Sequence, residues 1–173
     1  MANTYTLIQA QTLASAAATV TFSSIPATYT DLVLRVSARS NRVATTEYVT
    51  FTLNASASGY SETDLNGNGT AASSSRGTAG AAAFLGIIPA ASNTASTFAN
   101  GEIYIPSYTA SQNKQIGTFD VSEGNSASTG VWIQTFANLW SNTAAITSIA
   151  LTPQSGGSFV TDSSFYLYGI KNS

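Results

Sequence analysis

At 173 residues, 43% of them hydrophobic and with a mean hydropathy of +0.10, the chain is long and apolar enough to fold around one core, and low hydrophobicity joined to high charge, the mark of disorder, is absent. It has no His and no Cys, which excludes Ser–His–Asp and Cys–His catalysis and a Cys/His zinc cage, so no catalytic residue, metal or cofactor is expected. Six Lys and Arg in all, at a net charge of −2, are too few to neutralise a nucleic-acid backbone, and no nucleic-acid partner is expected.

Short stretches of period-2 alternation recur from end to end, separated by Gly, Asn, Ser or Pro clusters, and no apolar i, i+3, i+4, i+7 pattern persists for three turns. The expected fold is all-β: a single antiparallel β-sandwich domain over 1–173, jelly-roll-like. In chain order the expected strands are 5–11, 19–23, 31–39, 47–54, 60–65, 81–88, 96–105, 115–122, 130–137, 145–152 and 159–170. The residues before the first strand, Met1 to Thr4, carry no basic segment, so no secretory leader is expected. The Ala-rich pieces 14–18 and 79–83 are too short to be stable helices.

In strand 31–39, Leu32, Leu34, Val36 and Ala38 share the core face, while Val33, Arg35, Ser37 and Arg39 share the other. Strand 47–54 alternates in the same way, and the short connection predicts a hairpin between the two. Arg35 and Arg39 then lie about 13 Å apart on one outer face, with Arg42 close behind. These three arginines are a candidate docking patch for an acidic protein surface; the alternative is an exposed Arg39–Glu47 ion pair contributing about 0–1 kcal/mol.

Asp64-Leu65-Asn66-Gly67-Asn68-Gly69 begins like a calcium loop, but its twelfth position is Ser75 where a bidentate Glu is required, so a tight turn is expected instead of a metal. Glu62 and Asp64 share a strand face, and Asp120 lies near Glu123; both are weak signals for a two-carboxylate glycosidase site. The longest apolar run, 79–91, is broken by Gly80, Gly86 and Pro89 and is shorter than the roughly 20 residues of a bilayer span, so no membrane association is expected. In strand 130–137, Trp132 and Phe136 oppose Val131, Ile133 and Thr135, and Trp140 is expected in the following loop. A sandwich buries one strand face, so one set needs other cover; the rings of Trp132, Phe136 and Trp140 are the candidate surface, for a subunit interface in preference to stacking on sugar. The last strand is apolar on both faces, with Tyr166 and Tyr168 opposite Phe165 and Leu167, which places it centrally or at a subunit contact. With only 8% charged residues, much of the surface is expected to be covered by partners or solvated by Ser and Thr, and self-association as a homotrimer through a Tyr- and Trp-bearing face is expected.

Five strings extend the reading: Tyr5-Thr6-Leu7-Ile8; Phe22-Ser23-Ser24-Ile25-Pro26-Ala27-Thr28-Tyr29-Thr30-Asp31-Leu32; Glu102-Ile103-Tyr104-Ile105-Pro106-Ser107-Tyr108; Leu139-Trp140-Ser141-Asn142-Thr143-Ala144-Ala145-Ile146; and Tyr166-Leu167-Tyr168-Gly169-Ile170-Lys171. In this order the chain resembles β-sandwich virion proteins of tailed bacteriophages, as found in phages of cyanobacteria and other aquatic bacteria. The resemblance implies a jelly-roll or related sandwich and a structural, head-decoration or tail role, and it carries no catalytic residues. Because the sequence shows no shaft or linker, it favours a decoration (cement) protein that binds the major capsid protein on the outer surface of the head, after synthesis in the host cytoplasm. The alternatives are a tail-fibre or receptor-binding component, then a free carbohydrate-binding module.

Overall fold

The computed structural model describes residues 4–122 and 131–171. Twelve strands form two antiparallel sheets, with no helix among the described residues. The large sheet holds β1 (Tyr5–Thr12), β3 (Asp31–Ala38), β5 (Tyr60–Gly67), β6 (Ala72–Gly80), β8 (Ala99–Ile105), β9 (Lys114–Ser122), β10 (Trp132–Trp140) and β12 (Ser164–Ile170). The small sheet holds β2 (Val20–Phe22), β4 (Thr46–Leu53), β7 (Ala83–Pro89) and β11 (Ile149–Pro153). Their orders are β1-β12-β3-β8-β9-β10-β5-β6 and β2-β11-β4-β7.

If the β5–β6 and β9–β10 hairpins are set aside, the remaining strands alternate between the sheets along the chain except at β4 and β7, which pair within the small sheet, and each sheet has the jelly-roll order. This explains why 31–39 and 47–54 do not form a hairpin. β3 pairs with β12 and β8, whereas β4 pairs with β11 and β7 across the core. The expected alternation is kept: Leu32, Leu34 and Val36 of β3 and Val49, Phe51 and Leu53 of β4 are all buried in the core cluster. Facing apolar rows of this kind stabilise by about 1.5–3 kcal/mol for each large side chain removed from water.

The small sheet has two edge strands, and both are closed by side chains from the large sheet. At one edge Gln9 and Gln11 donate from Nε2 to the carbonyls of Ser23 (2.6 Å) and Thr21 (2.7 Å). At the other, the buried Asn138 amide acts as a substitute strand for β7: its Nδ2 donates to the Phe84 carbonyl (3.1 Å) and its Oδ1 accepts from the Phe84 N–H (3.0 Å). Thr118 Oγ1 donates to the same carbonyl at 3.1 Å. An open edge is a template for wrong pairing, and these contacts remove both. They also explain why the inner faces of β9 and β10 carry Thr118 and Asn138 where an apolar row is the simple expectation.

Candidate functional site

The large sheet is twice as wide as the small one, so its outer face is a broad uncovered platform. Strand register places Leu7, Tyr168, Val33, Tyr104, Gly117 and Ala137 in one transverse row. The next row runs Ala10, Tyr166, Arg35, Glu102, Phe119 and Thr135 and continues to Leu65. A third includes Val121 and Ile133. Six large apolar side chains on this face, Tyr5, Leu7, Leu65, Tyr104, Phe119 and Ile133, are between 39% (Tyr104) and 57% (Leu65) exposed. Exposed apolar residues are ordinary when scattered; gathered on one sheet face they make it a candidate interaction surface.

The platform has relief. Between Tyr104 and Leu65, where Gly117 and Ala137 leave the surface low, lies a depression of about 640 Å³. A second, of about 450 Å³, lies beside Phe119 and Ile133. Its charge is almost nil at the centre: Arg35 Nε meets Glu102 Oε2 at 3.2 Å, and both side chains are open to solvent.

Of the three arginines, only Arg35 stands on this face. Arg39 is 9% exposed and lies past the end of β3. Its guanidinium turns into the fold and donates to the carbonyls of Thr94 (2.7 Å), Ala90 (2.8 Å), Asn93 (3.1 Å) and Thr97 (3.1 Å), so it fastens the β7–β8 connection and is no docking residue. Glu47 is likewise buried, and the arginine facing it is Arg42, at 3.9 Å, instead of Arg39. The carboxylate also accepts from the Ser155 N–H at 3.0 Å. Arg42 remains partly exposed beside Val43, which is 92% exposed at the tip of the β3–β4 loop.

The aromatic expectation is reversed on β10. Phe136 points inward and stacks on Phe84 with ring centroids 5.7 Å apart. Trp140 is the last residue of β10, not a loop residue; it is buried and stacked on Tyr60 at 6.1 Å. Trp132 shares their face and is half-buried, whereas Ile133 and Thr135 stand outward. Tyr166 and Tyr168 are half-buried on the outer face of β12, which is flanked by β1 and β3, and Tyr168 meets Tyr5 edge-on at 6.3 Å.

The calcium-like segment is strand and turn. Asp64 Oδ2 accepts from Asn66 Nδ2 at 2.5 Å, and its Oδ1 accepts from the Ser75 N–H (3.1 Å) and hydroxyl. Asn68 Oδ1 closes the β5–β6 turn by accepting from the N–H groups of Thr70 (3.0 Å) and Ala71 (2.9 Å). The potential ligand atoms are thus occupied, and among the described residues no group of three His, Cys, Asp or Glu is placed to hold a metal ion. Glu62 and Asp64 do share the inner face of β5; burial, then the Asp64 charge, raises the Glu62 carboxyl above its ordinary range. Glu123 lies outside the described residues.

Asp120 is the most perturbed group. Its carboxylate sits between the sheets in a niche opened by Gly86, where a Cβ would come within 2.4 Å of the Asp120 Cβ, and by Gly101, where one would lie 3.2 Å from Oδ1. Burial pushes its pKa up to about 8, against the pull of the facing Ile87 and Val121 amides, neither of which closes a hydrogen bond of full geometry. No alternation in the sequence signals this niche; two glycines on different strands create it.

No family model matches the chain, and no curated protein or solved structure matches it either.

Proposed function

We propose that the chain is a structural protein of a tailed-phage virion that decorates the head, binds the major capsid protein and holds adjacent capsid subunits together. The observation that carries this reading is the outer face of the large sheet: a wide apolar platform whose central charges cancel at the Arg35–Glu102 pair. Such a face works by being covered with protein, since its exposed leucine, isoleucine and phenylalanine side chains gain most from contacts that exclude water. The jelly-roll connectivity and the five strings resembling phage virion proteins support the same reading. Of the arginine cluster, Arg42 stays exposed beside Val43, on a tip braced from below by Glu47 and from the side by the Arg39 clamp. A braced apolar tip with one cation suits a lattice contact in which the charge steers approach and the apolar group slows release.

A bridging protein opposes the opening of capsid seams under the pressure of packaged DNA, because its contacts exist only in the closed lattice. Virions with and without the protein are to be compared for copies per head, head survival on heating, and adsorption to host cells. Many copies per head, with heads that burst at lower temperature when the protein is missing, support the proposal. Intact heads with lost adsorption overturn it in favour of a tail or receptor-binding component.

A further inference from the structure

We propose that the outer face of the large sheet is covered by a second copy of this chain, packed face to face about a twofold axis that runs along the strands between β3 and β8. The central ion pair is the first reason. Arg35 and Glu102 lie side by side on these two strands, in register and 3.2 Å apart. A partner that meets both must present an acid over Arg35 and a base over Glu102. A second copy does this by symmetry, because in an isologous contact residue i meets j and j meets i.

Shape is the second reason, and it follows from the same operation. The axis lays β12 over β9 of the partner subunit and β1 over β10. In the first row Tyr168 then faces Gly117 of the partner subunit, and Leu7 faces Ala137 of the partner subunit. The two bulky residues on one flank meet the two smallest on the other, at the floor of the 640 Å³ depression. In the second row Tyr166 faces Phe119 of the partner subunit, which joins two aromatic rings. Sheets packed at about 10 Å interdigitate in this manner, inclined by about 30° through their own twist.

Area is the third. Six strands overlap; at about 4.8 Å between strands and about 3.3 Å per residue over seven residues they cover about 670 Å². That lies within the range for each side of a specific interface. β5 and β6 extend past the overlap and stay outside it. The inference rests on the head-decoration reading and deepens it by giving the platform's protein cover to a second copy, so that the capsid contact falls to the two identical Arg42–Val43 tips, one on each subunit, as a clamp across two capsid subunits needs.

The test is a pair of charge variants, Arg35→Glu and Glu102→Arg, followed by light scattering and sedimentation equilibrium. Each variant alone opposes like charges across the axis and is expected to lose about tenfold or more in self-affinity. An equimolar mixture restores opposite charges at both contacts and is expected to recover a 1:1 dimer. Gly117→Arg gives an independent arm. A Cβ at Gly117 meets nothing within 4 Å, so the fold is expected to keep its melting temperature while the filled depression keeps the chain monomeric. A wild-type monomer at about 100 µM, a trimer, or a dimer indifferent to Gly117→Arg and to the charge variants overturns the inference. A monomer that still coats phage heads would sink the dimer and leave the head-decoration reading standing; a dimer that leaves heads bare would do the reverse.

Discussion

Asp120 shows how far packing moves a single side chain. Its folded pKa of about 8 stands well above the ordinary 3.8, so over that interval the native state keeps a proton that the unfolded chain has released. The linkage sign follows: the unfolded state binds fewer protons, and stability falls as pH rises from about 4 to about 8, then levels off. The steepest slope such a group supports is about 1.4 kcal/mol per pH unit. Asp120→Asn keeps the shape and carries no charge. Urea unfolding is therefore expected to find this variant near wild type at about pH 4 and more stable than wild type at about pH 9; equal stability at both pH values would mean the carboxyl is not held neutral. Asn138 poses the opposite case, a buried polar group fully used. Asn138→Ala leaves the Phe84 N–H without its acceptor while Thr118 still serves the carbonyl, for an expected loss of about 1–3 kcal/mol. Faster hydrogen exchange at the Phe84 amide would locate that loss.

At the scale of elements, two connections owe their shape to one side chain each. Arg39 holds the β7–β8 connection through a forked guanidinium that reaches several carbonyls at once, a geometry an ammonium does not reproduce. Arg39→Lys is expected to cost about 1–3 kcal/mol and to speed proteolysis within residues 90–97; unchanged cleavage there would contradict the clamp. The β5–β6 connection turns on Asn68, whose Oδ1 accepts from the Thr70 and Ala71 amides, while the Asp64 oxygens are taken by Asn66 and Ser75. Calcium and EDTA melts are accordingly expected to coincide, because a ligand of the native state raises the melting temperature by mass action. A reproducible calcium-dependent rise would return Asp64, Asn66 and Asn68 to consideration as ligands.

For the molecule as a whole, stability rests on two apolar layers and on edges closed by amide side chains, with few charges involved. Among the described residues the ion pairs are Arg35–Glu102, exposed on both sides, and Arg42–Glu47 at 3.9 Å, in which Glu47 is buried and Arg42 partly exposed. Exposed pairs contribute about 0–1 kcal/mol and are screened by salt. Raising sodium chloride from about 0.05 to about 0.5 M is thus expected to move the melting temperature by less than about 2 °C, as read by differential scanning calorimetry; a large drop would reveal an electrostatic contribution that the side-chain geometry does not contain.

Periodicity alone made the all-β class and most strands legible, because Leu32, Leu34 and Val36 or Val49, Phe51 and Leu53 must share a face whatever sheet they join. It could not choose the sheet: the short β3–β4 connection permits a hairpin or a crossing, and burial of both rows against each other selected the crossing. β6 escaped notice because Ser73, Ser74 and Ser75 give no apolar signal; pairing with β5 makes it a strand. On β10 both faces carry apolar residues, so only the position of β7 decided that Phe136 and Trp140 turn inward and Ile133 outward. On β12 alternation set Tyr166 and Tyr168 opposite Phe165 and Leu167 without choosing between them, and it was the core that took Phe165 and Leu167. Arg39 was misplaced because one residue beyond a strand end the alternation no longer binds, and a cluster of loop carbonyls captured its charge. Alternation is written in local covalent geometry; which face is covered, and by what, depends on contacts between residues far apart in the chain.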